Sequence, residues 1–345
     1  MTVLVLFGGR SDERHVSVAT GQNVARALGS PLCWFQAPDG SVCEVPRTEL
    51  LSHQRPFEVD FQPSRPARWP ELEEALAALP SGDAVVFLAL HGVEGEDGTV
   101  QRVLERRGIP FTGSGSEASA AAFDKGRAKE MVKERVSVAE SRIVPAGDRD
   151  AIRAAAAELL GRHERIVLKP VAGGSSRGLF FLDRGARLDD TVEKVAASQL
   201  PYLIEQCIAG RELTVGVVEG RDGPFPLPVI EIEVEAGHSF DYEGKYLGHG
   251  TREICPAKIP DEMARAAQQA AVEAHTALRC EGYSRTDIMA AEEGTFFLEL
   301  NTLPGLTTSS LVPQELRAAG IGFRDFLEQQ IELARRRAGL SAPAR

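Results

Sequence analysis

Apolar and polar positions fall into two regimes along the chain. A continuous apolar run at residues 2–7, TVLVLF, turns at Gly8-Gly9-Arg10-Ser11 into a segment of helical period. That helix is predicted to start near Asp12, with Ser11 placed to cap it. A second run, AVVFLAL at 84–90, ends at His91-Gly92. Strand, turn and helix in this order predict an α/β unit with a mostly parallel sheet. Residues 38–82 are rich in Pro, Ser and Arg and read as loops with weak strands, until ELEEALAAL supplies a helix.

Beyond residue 113 the pattern changes. EASAAAFDKGRAKEMVKE reads as one helical stretch, and IVLKP and LFFL read as hairpin strands around a glycine loop. From 203 onward strands dominate: YLIEQCI, ELTVGVVEG and FPLPVIEIEV. A helix (PDEMARAAQQAAVEAHTAL), two more strands (YSRTDIMAAEEG and TFFLELN) and an amphipathic helix (FRDFLEQQIELARRR) complete the pattern. The last residues, AGLSAPAR, are expected to be a disordered tail. The fold class is therefore α/β followed by α+β, not one continuous doubly wound sheet.

Composition narrows the partners. A net charge of −11 argues against nucleic acid or an anionic membrane, so any bound phosphate must be held by local positive charge. Five scattered cysteines without CxxC spacing point to free thiols in a reducing compartment. No apolar stretch approaches the roughly 20 residues of a membrane span, and VLVLF lacks the length and basic lead of a signal peptide. A cytoplasmic protein is expected.

The stretch VLKPVAGGSSRGLFF at 167–181 carries the first chemistry. Its glycines and serines offer N–H and O–H donors to an anion, most simply a phosphate. It is not a Walker loop, because no Lys-Ser or Lys-Thr follows the glycines and a strand, not a helix, comes next. In YSRTDIM, Arg285 and Asp287 lie two apart on one strand face, as do Glu299 and Asn301 in FFLELN. The EEG turn between these strands predicts an antiparallel pair that gathers the four groups. The Asp, Glu and Asn oxygens suit Mg²⁺ that also holds phosphates, and the plain alternative is a solvated face with charges paired across the ladder. HSFDYEGKYLGHG at 238–250 has the composition of a lid. Glu205 and Glu212 are either strand-end charges or readers of an adenine amino group and a ribose. Gly113-Ser-Gly115-Ser-Glu-Ala has the form of a dinucleotide fingerprint but lacks a surrounding βαβ unit.

Taken together, GGRSDERHVS, LALHGVEGEDGTVQ, FTGSGSEASAAAFDK, VLKPVAGGSSRG, DYEGKY, RTDIM and LELNTLPGLTTSSLVP resemble the D-alanine–D-alanine ligase family of ATP-grasp enzymes. The resemblance runs in order from about residue 3 to 332. It implies an ATP-grasp fold with an N-terminal Rossmann-like α/β domain (1–113), a central subdomain carrying the phosphate loop (114–205), and a C-terminal subdomain with lid and metal site (206–334), followed by the tail at 335–345. It also implies ATP as substrate, two Mg²⁺ ions, D-alanine, and a homodimer in the cytoplasm making peptidoglycan precursors.

By the same resemblance, Lys125, Lys169, Ser175, Ser176 and Lys245 hold the ATP phosphates. Glu205 takes the adenine amino group beside the Ile208 backbone, and Glu212 the ribose. Asp287, Glu299 and Asn301 hold the metals. Glu13 and His91 serve the first amino acid, Ser310 and Leu311 the second, and Arg285 with the Gly305 amide the oxyanion. Glu13, Ser175 and Tyr246 link three segments in the closed site. The chain departs from the family pattern at His15, Gly173, Arg177 and Gln206. The alternatives are a diverged ligase for other small amino acids and a non-catalytic ATP-binding protein.

Overall fold

A computed structural model describes residues 2–79, 84–174, 177–220, 222–234 and 251–340. The chain opens with β1 (Thr2–Gly8), α1 (Arg14–Leu28), β2 (Leu32–Gln36), β3 (Val42–Val45), α2 (Arg47–Ser52), α3 (Leu72–Ala77), β4 (Ala84–Leu88) and α4 (Thr99–Arg106). The sheet order is β3-β2-β1-β4, with β1 parallel to both neighbours and β3 antiparallel at the edge. Leu4 to Phe7 are buried on both faces, which is why β1 reads as an unbroken apolar run.

Gly8 ends β1 at φ +95°, where an added Cβ would lie 2.3 Å from the Gln36 carbonyl oxygen. The following helix begins at Arg14, two residues later than its pattern predicted, and its N-cap Glu13 makes no side-chain cap. Ser11 instead accepts the Glu13 N–H at 3.1 Å and closes the turn ahead of the helix. Residues 38–79 are also more ordered than their composition suggests. They hold β3 and α2, and the Trp34 and Trp69 rings pack 4.6 Å apart across them.

Next come α5 (Ser116–Phe123), α6 (Lys125–Val132), β5 (Ser137–Val138), β6 (Ser141–Val144), α7 (Arg149–Leu160), β7 (Arg165–Pro170), β8 (Phe180–Asp183), α8 (Asp189–Ala197) and β9 (Tyr202–Gln206). The predicted single helix over EASAAAFDKGRAKEMVKE is two, broken at Asp124. Asp124 is extended, bridges to Ala172, and caps α6 by accepting the Arg127 N–H at 2.9 Å. An antiparallel sheet, β6-β9-β7-β8, carries the glycine loop between its β7 and β8 hairpin strands. Helices α7 and α8 cover it through Ile152, Leu159 and Val192.

The remainder comprises β10 (Arg211–Gly220), β11 (Gly223–Pro226), β12 (Ile230–Val234), β13 (Thr251–Ile254), α9 (Asp261–Ala277), β14 (Tyr283–Ala291), β15 (Gly294–Asn301), α10 (Leu311–Ala318) and α11 (Phe323–Arg337). FPLPVIEIEV divides into β11 and β12, since Pro226 and Pro228 have no N–H to continue a ladder. The larger sheet runs β13-β12-β10-β14-β15-β5, with β11 also on β10. Its face packs on the alanine-rich side of α9, and α11 returns to the first core through Phe326, Leu327 and Ile331. Among the described residues, no helix is long and apolar enough to cross a membrane.

Candidate active site

The floor of the site is the β14–β15 pair. Arg285 stands opposite Asn301 and Asp287 opposite Glu299, as the strand pattern predicted. The register then shifts between Asp287 and Ile288, leaving Leu298 as an extra residue on β15. Leu298 and Glu299 consequently both line one cleft, which strict alternation would forbid. Arg285 and Asp287 are buried, not on a solvated face. The guanidinium grips the carboxylate through two bonds of 2.9 and 2.8 Å, and the Thr214 hydroxyl donates to it at 2.6 Å.

Helix α6 delivers cations to this floor. Its first residue, Lys125, donates to the Gly173 carbonyl at 2.6 Å and pairs with Glu299 at 3.2 Å. The Lys125 N–H also bonds the Val171 carbonyl at 2.9 Å, so the helix start is pinned to the phosphate loop. One turn on, Lys129 meets the buried Glu205. Lys169 from β7 approaches the other carboxylate oxygen at 2.6 Å. Burial opposes the charge on Glu205, yet Lys169 and Lys129 together hold its carboxyl below the ordinary range. Burial likewise opposes the Lys169 charge, but Glu205, Glu299 and Glu212 outweigh it and raise the ammonium above its usual value. For Lys129 burial prevails and the shift is downward. Lys129 was not among the sequence candidates. The available signal was its position four residues after Lys125, on the same helix face.

A second group of residues surrounds a smaller polar recess. Glu13 follows the Gly8 turn, and His91 follows β4. His91 Nε2 lies 2.9 Å from the Thr20 hydroxyl, and burial, against the pull of Glu13, brings its pKa down to about 4. Asn23 of α1 donates to the Leu306 carbonyl at 2.7 Å, which ties the N-terminal sheet to the loop bearing Gly305. Ser310 stands at the N-cap of α10 with Leu311 as first helical residue, and its hydroxyl accepts the Thr307 N–H at 3.1 Å. Glu96, which the sequence reading also missed, enters the recess and accepts the Gly92 N–H at 2.7 Å. Burial first and the Glu13 charge second raise its pKa to about 8.

The recess opens into a cleft of about 850 Å³, whose walls include Lys169, Glu205, Ile208 and Glu212. The two spaces share Glu13, Phe123, Lys125, Gly173, Gly174 and Glu299. Ser175, Ser176, Lys245 and Tyr246 lie outside the described residues.

The departures from the family pattern also find their places. Gly173 adopts φ +112°, Arg177 pairs with Asp12 across the cleft mouth, and His15 bonds Asp60 at 2.8 Å. Gln206 uses its backbone N–H toward the Glu140 carbonyl at 2.9 Å. Among the described residues, no three His, Cys, Asp or Glu side chains form a metal-binding cluster. The expected set is instead two carboxylates and an amide. Asp287 is paired with Glu299 across the ladder and Asn301 lies two residues beyond Glu299 on the same strand, a set of oxygen ligands whose chemistry suits a hard cation such as Mg²⁺.

Comparison with known proteins identifies the family. The family pattern described as D-ala D-ala ligase N-terminus matches residues 2–114, and that of the C-terminus matches 151–332. A D-alanine–D-alanine ligase of Desulforudis audaxviator is 37% identical over 335 residues, spanning 96% of this chain and 98% of the relative. One from Syntrophobacter fumaroxidans is 37% identical over 342 residues, spanning 97% of each. Among solved structures, the VanG D-Ala:D-Ser ligase of Enterococcus faecalis superposes with a TM-score of 0.78 at 29% identity, over 96% of this chain and 99% of that one. The D-alanine–D-alanine ligase of Bacillus anthracis complexed with ATP superposes with a TM-score of 0.73 at 26% identity, over 98% and 99%. Matches that span both halves of the sequence, with the ATP-grasp arrangement of its sheets, mean that the chain belongs to the D-ala D-ala ligase family.

Proposed function

We propose that this protein joins two D-alanine molecules at the expense of ATP, supplying the dipeptide for peptidoglycan precursors. One observation carries the reading. A cleft of nucleotide size and a polar recess of amino-acid size meet at Lys125, Gly173, Gly174, Glu13 and Glu299. A phosphoryl group leaving ATP and a carboxylate receiving it need such a junction.

In this reading the adenine lies toward Glu205 and Ile208, the ribose toward Glu212, and the phosphates toward Lys125, Lys169 and the glycine loop. Asp287, Glu299 and Asn301 would hold Mg²⁺, which supplies positive charge against the phosphoryl oxygens. The first D-alanine sits with its ammonium toward Glu13. Its carboxylate oxygen attacks the γ-phosphorus in line, ADP departs, and an acylphosphate forms. The second D-alanine, its carboxylate held by Ser310 and the Leu311 amide, attacks the carbonyl carbon with its free amine. Arg285 and the Gly305 amide stabilise the tetrahedral oxyanion; one such donor typically contributes on the order of 3 kcal/mol. Collapse breaks the carbon–oxygen bond, phosphate leaves with the bonding electrons, and the amine loses its proton. Ser175, Ser176, Lys245 and Tyr246 complete this assignment as phosphate ligands and lid.

The units of the enzyme run 1–113, 114–205 and 206–334, and the tail expected at 335–345 starts too early, because α11 continues to Arg337, which donates to the Gly113 and Phe111 carbonyls. It works in the cytoplasm as a homodimer, so sedimentation is expected to return about double the 37.2 kDa chain mass. The decisive assay measures ADP release and dipeptide together, with Mg²⁺ present and then chelated. Substrates are D-alanine, D-serine and L-alanine, singly and in pairs. One D-alanyl-D-alanine per ADP, lost on chelation, is expected. Turnover confined to another pair of amino acids would reassign the substrate.

A further inference from the structure

Two ammonium groups converge on one buried carboxylate at the base-binding end of the cleft. Lys169 takes Oε1 of Glu205 at 2.6 Å, and Lys129 takes Oε2. The pair is not symmetrical. Lys169 and Glu205 both line the cleft, whereas Lys129 does not. The Lys129 side chain is only 5% exposed, on helix α6, and also donates to the Ala139 carbonyl at 3.3 Å. It stands behind Glu205, where no nucleotide in the cleft can touch it.

Charge counting explains why a single carboxylate has two lysines. With both present the buried group carries one excess positive charge. The functional reading above sends Lys169 to the phosphates, and that move leaves a neutral Lys129–Glu205 pair facing a neutral base. It also frees the oxygen that Lys169 had occupied. Were Lys129 absent, the same move would strand a carboxylate in a buried site with no counter-charge. Glu205 would then hold Lys169 back from the phosphates, or take a proton. A protonated carboxyl no longer rejects a carbonyl oxygen at the base edge, because it can donate to it.

We propose that Lys129 is a positioning residue, the standing counter-charge of Glu205, which releases Lys169 to the phosphates and sets the preference for adenine over guanine. This rests on the ATP-ligase reading and on Glu205 as acceptor of the adenine amino group. Adenine presents a donor there and guanine a carbonyl, so discrimination depends on Glu205 remaining an acceptor.

The test compares Lys129→Met, Lys129→Arg, Glu205→Gln and the Lys129→Met/Glu205→Gln double variant. Each is assayed for kcat/KM with ATP and GTP, and for ATP and GTP affinity by calorimetry without amino acids. Lys129→Met is expected to reduce both kcat/KM for ATP and the ATP-to-GTP ratio by about tenfold or more, through nucleotide KM and not D-alanine KM. Lys129→Arg keeps the charge and should retain most of the ratio. In the Glu205→Gln background no carboxylate needs balancing, so adding Lys129→Met should change ATP affinity by less than about threefold.

The proposal is overturned if Lys129→Met leaves the ratio intact. It is equally overturned if the penalty of Lys129→Met is as large in the Glu205→Gln background as in the wild type, the signature of a merely structural lysine. Should Lys129→Met fail to fold alone, the double variant against Glu205→Gln still decides. A Glu205→Gln variant with unchanged ATP-to-GTP ratio removes the base assignment and the role of Lys129 with it. Because calorimetry needs no turnover, an error in the amino-acid substrate leaves this comparison readable.

Discussion

Lys125 and Lys129 lie four residues apart on one helix, yet they serve opposite ends of the cleft. The first meets Glu299 and the phosphate loop, and the second meets Glu205. Division of labour at this scale yields a prediction for Glu299. Glu299→Gln keeps the shape of the side chain but removes charge where a cation and a phosphoryl group would meet. ADP release should fall by far more than tenfold, while ATP affinity measured by calorimetry changes little. A variant retaining over about a tenth of the wild-type rate, a barrier change under roughly 1.4 kcal/mol, would refute the metal assignment. Arg177 and Asp12 are different in kind. Their side chains are 62% and 72% exposed, so their ion pair contributes at most about 1 kcal/mol to stability, although it joins the phosphate loop to the first turn of the chain.

At the level of elements, the β14–β15 ladder meets helix α9 through His275. The ring bonds the Ser284 hydroxyl at 2.8 Å, its Nε2 has no partner among the described residues, and burial lowers its pKa to about 4. An unfolded histidine takes a proton near 6.5. Between about 6.5 and 4 the unfolded chain therefore binds a proton that the folded chain refuses. Stability falls as pH drops through that window, by up to about 1.4 kcal/mol per unit. His91, lowered by burial to the same value, adds to the effect. Urea unfolding from pH 7 to 4.5 should show a steeper loss for the wild type than for His275→Leu, despite the lower neutral stability of the variant. Equal slopes would show that His275 does not titrate as its burial implies.

For the whole molecule, the cleft takes its walls from the antiparallel β6-β9-β7-β8 sheet, the larger sheet and the turn after β1. A ligand bound there contacts all three and should stabilise them together. ATP with Mg²⁺ at a hundredfold excess over its Kd adds about 2.7 kcal/mol. Thermal unfolding should shift upward as one transition, whereas a shift confined to an early or late phase would place the nucleotide on one sheet alone. The return of α11 to the first core supports this coupling, since Phe326 and Leu327 are buried among residues of the N-terminal sheet.

Much of this architecture was legible in the order of residues. Fully buried parallel strands need unbroken apolar runs, so β1 and β4 were visible. A positive φ beside a carbonyl demands glycine, so the turn at Gly8 was visible as well. Residues two apart on a strand share a face, so the sequence alone groups Arg285 with Asp287 and Glu299 with Asn301. The motif order carried the family. Other features were beyond the reach of local pattern. The break at Asp124 depends on a bridge to Ala172, 48 residues away, and the bulge at Leu298 depends on how β15 pairs with β14. The charge on Glu205 depends on two lysines from separate elements converging on one buried carboxylate. Periodicity and local geometry act over a few residues and are written along the chain. Electrostatics acts through space and is decided only when distant segments pack.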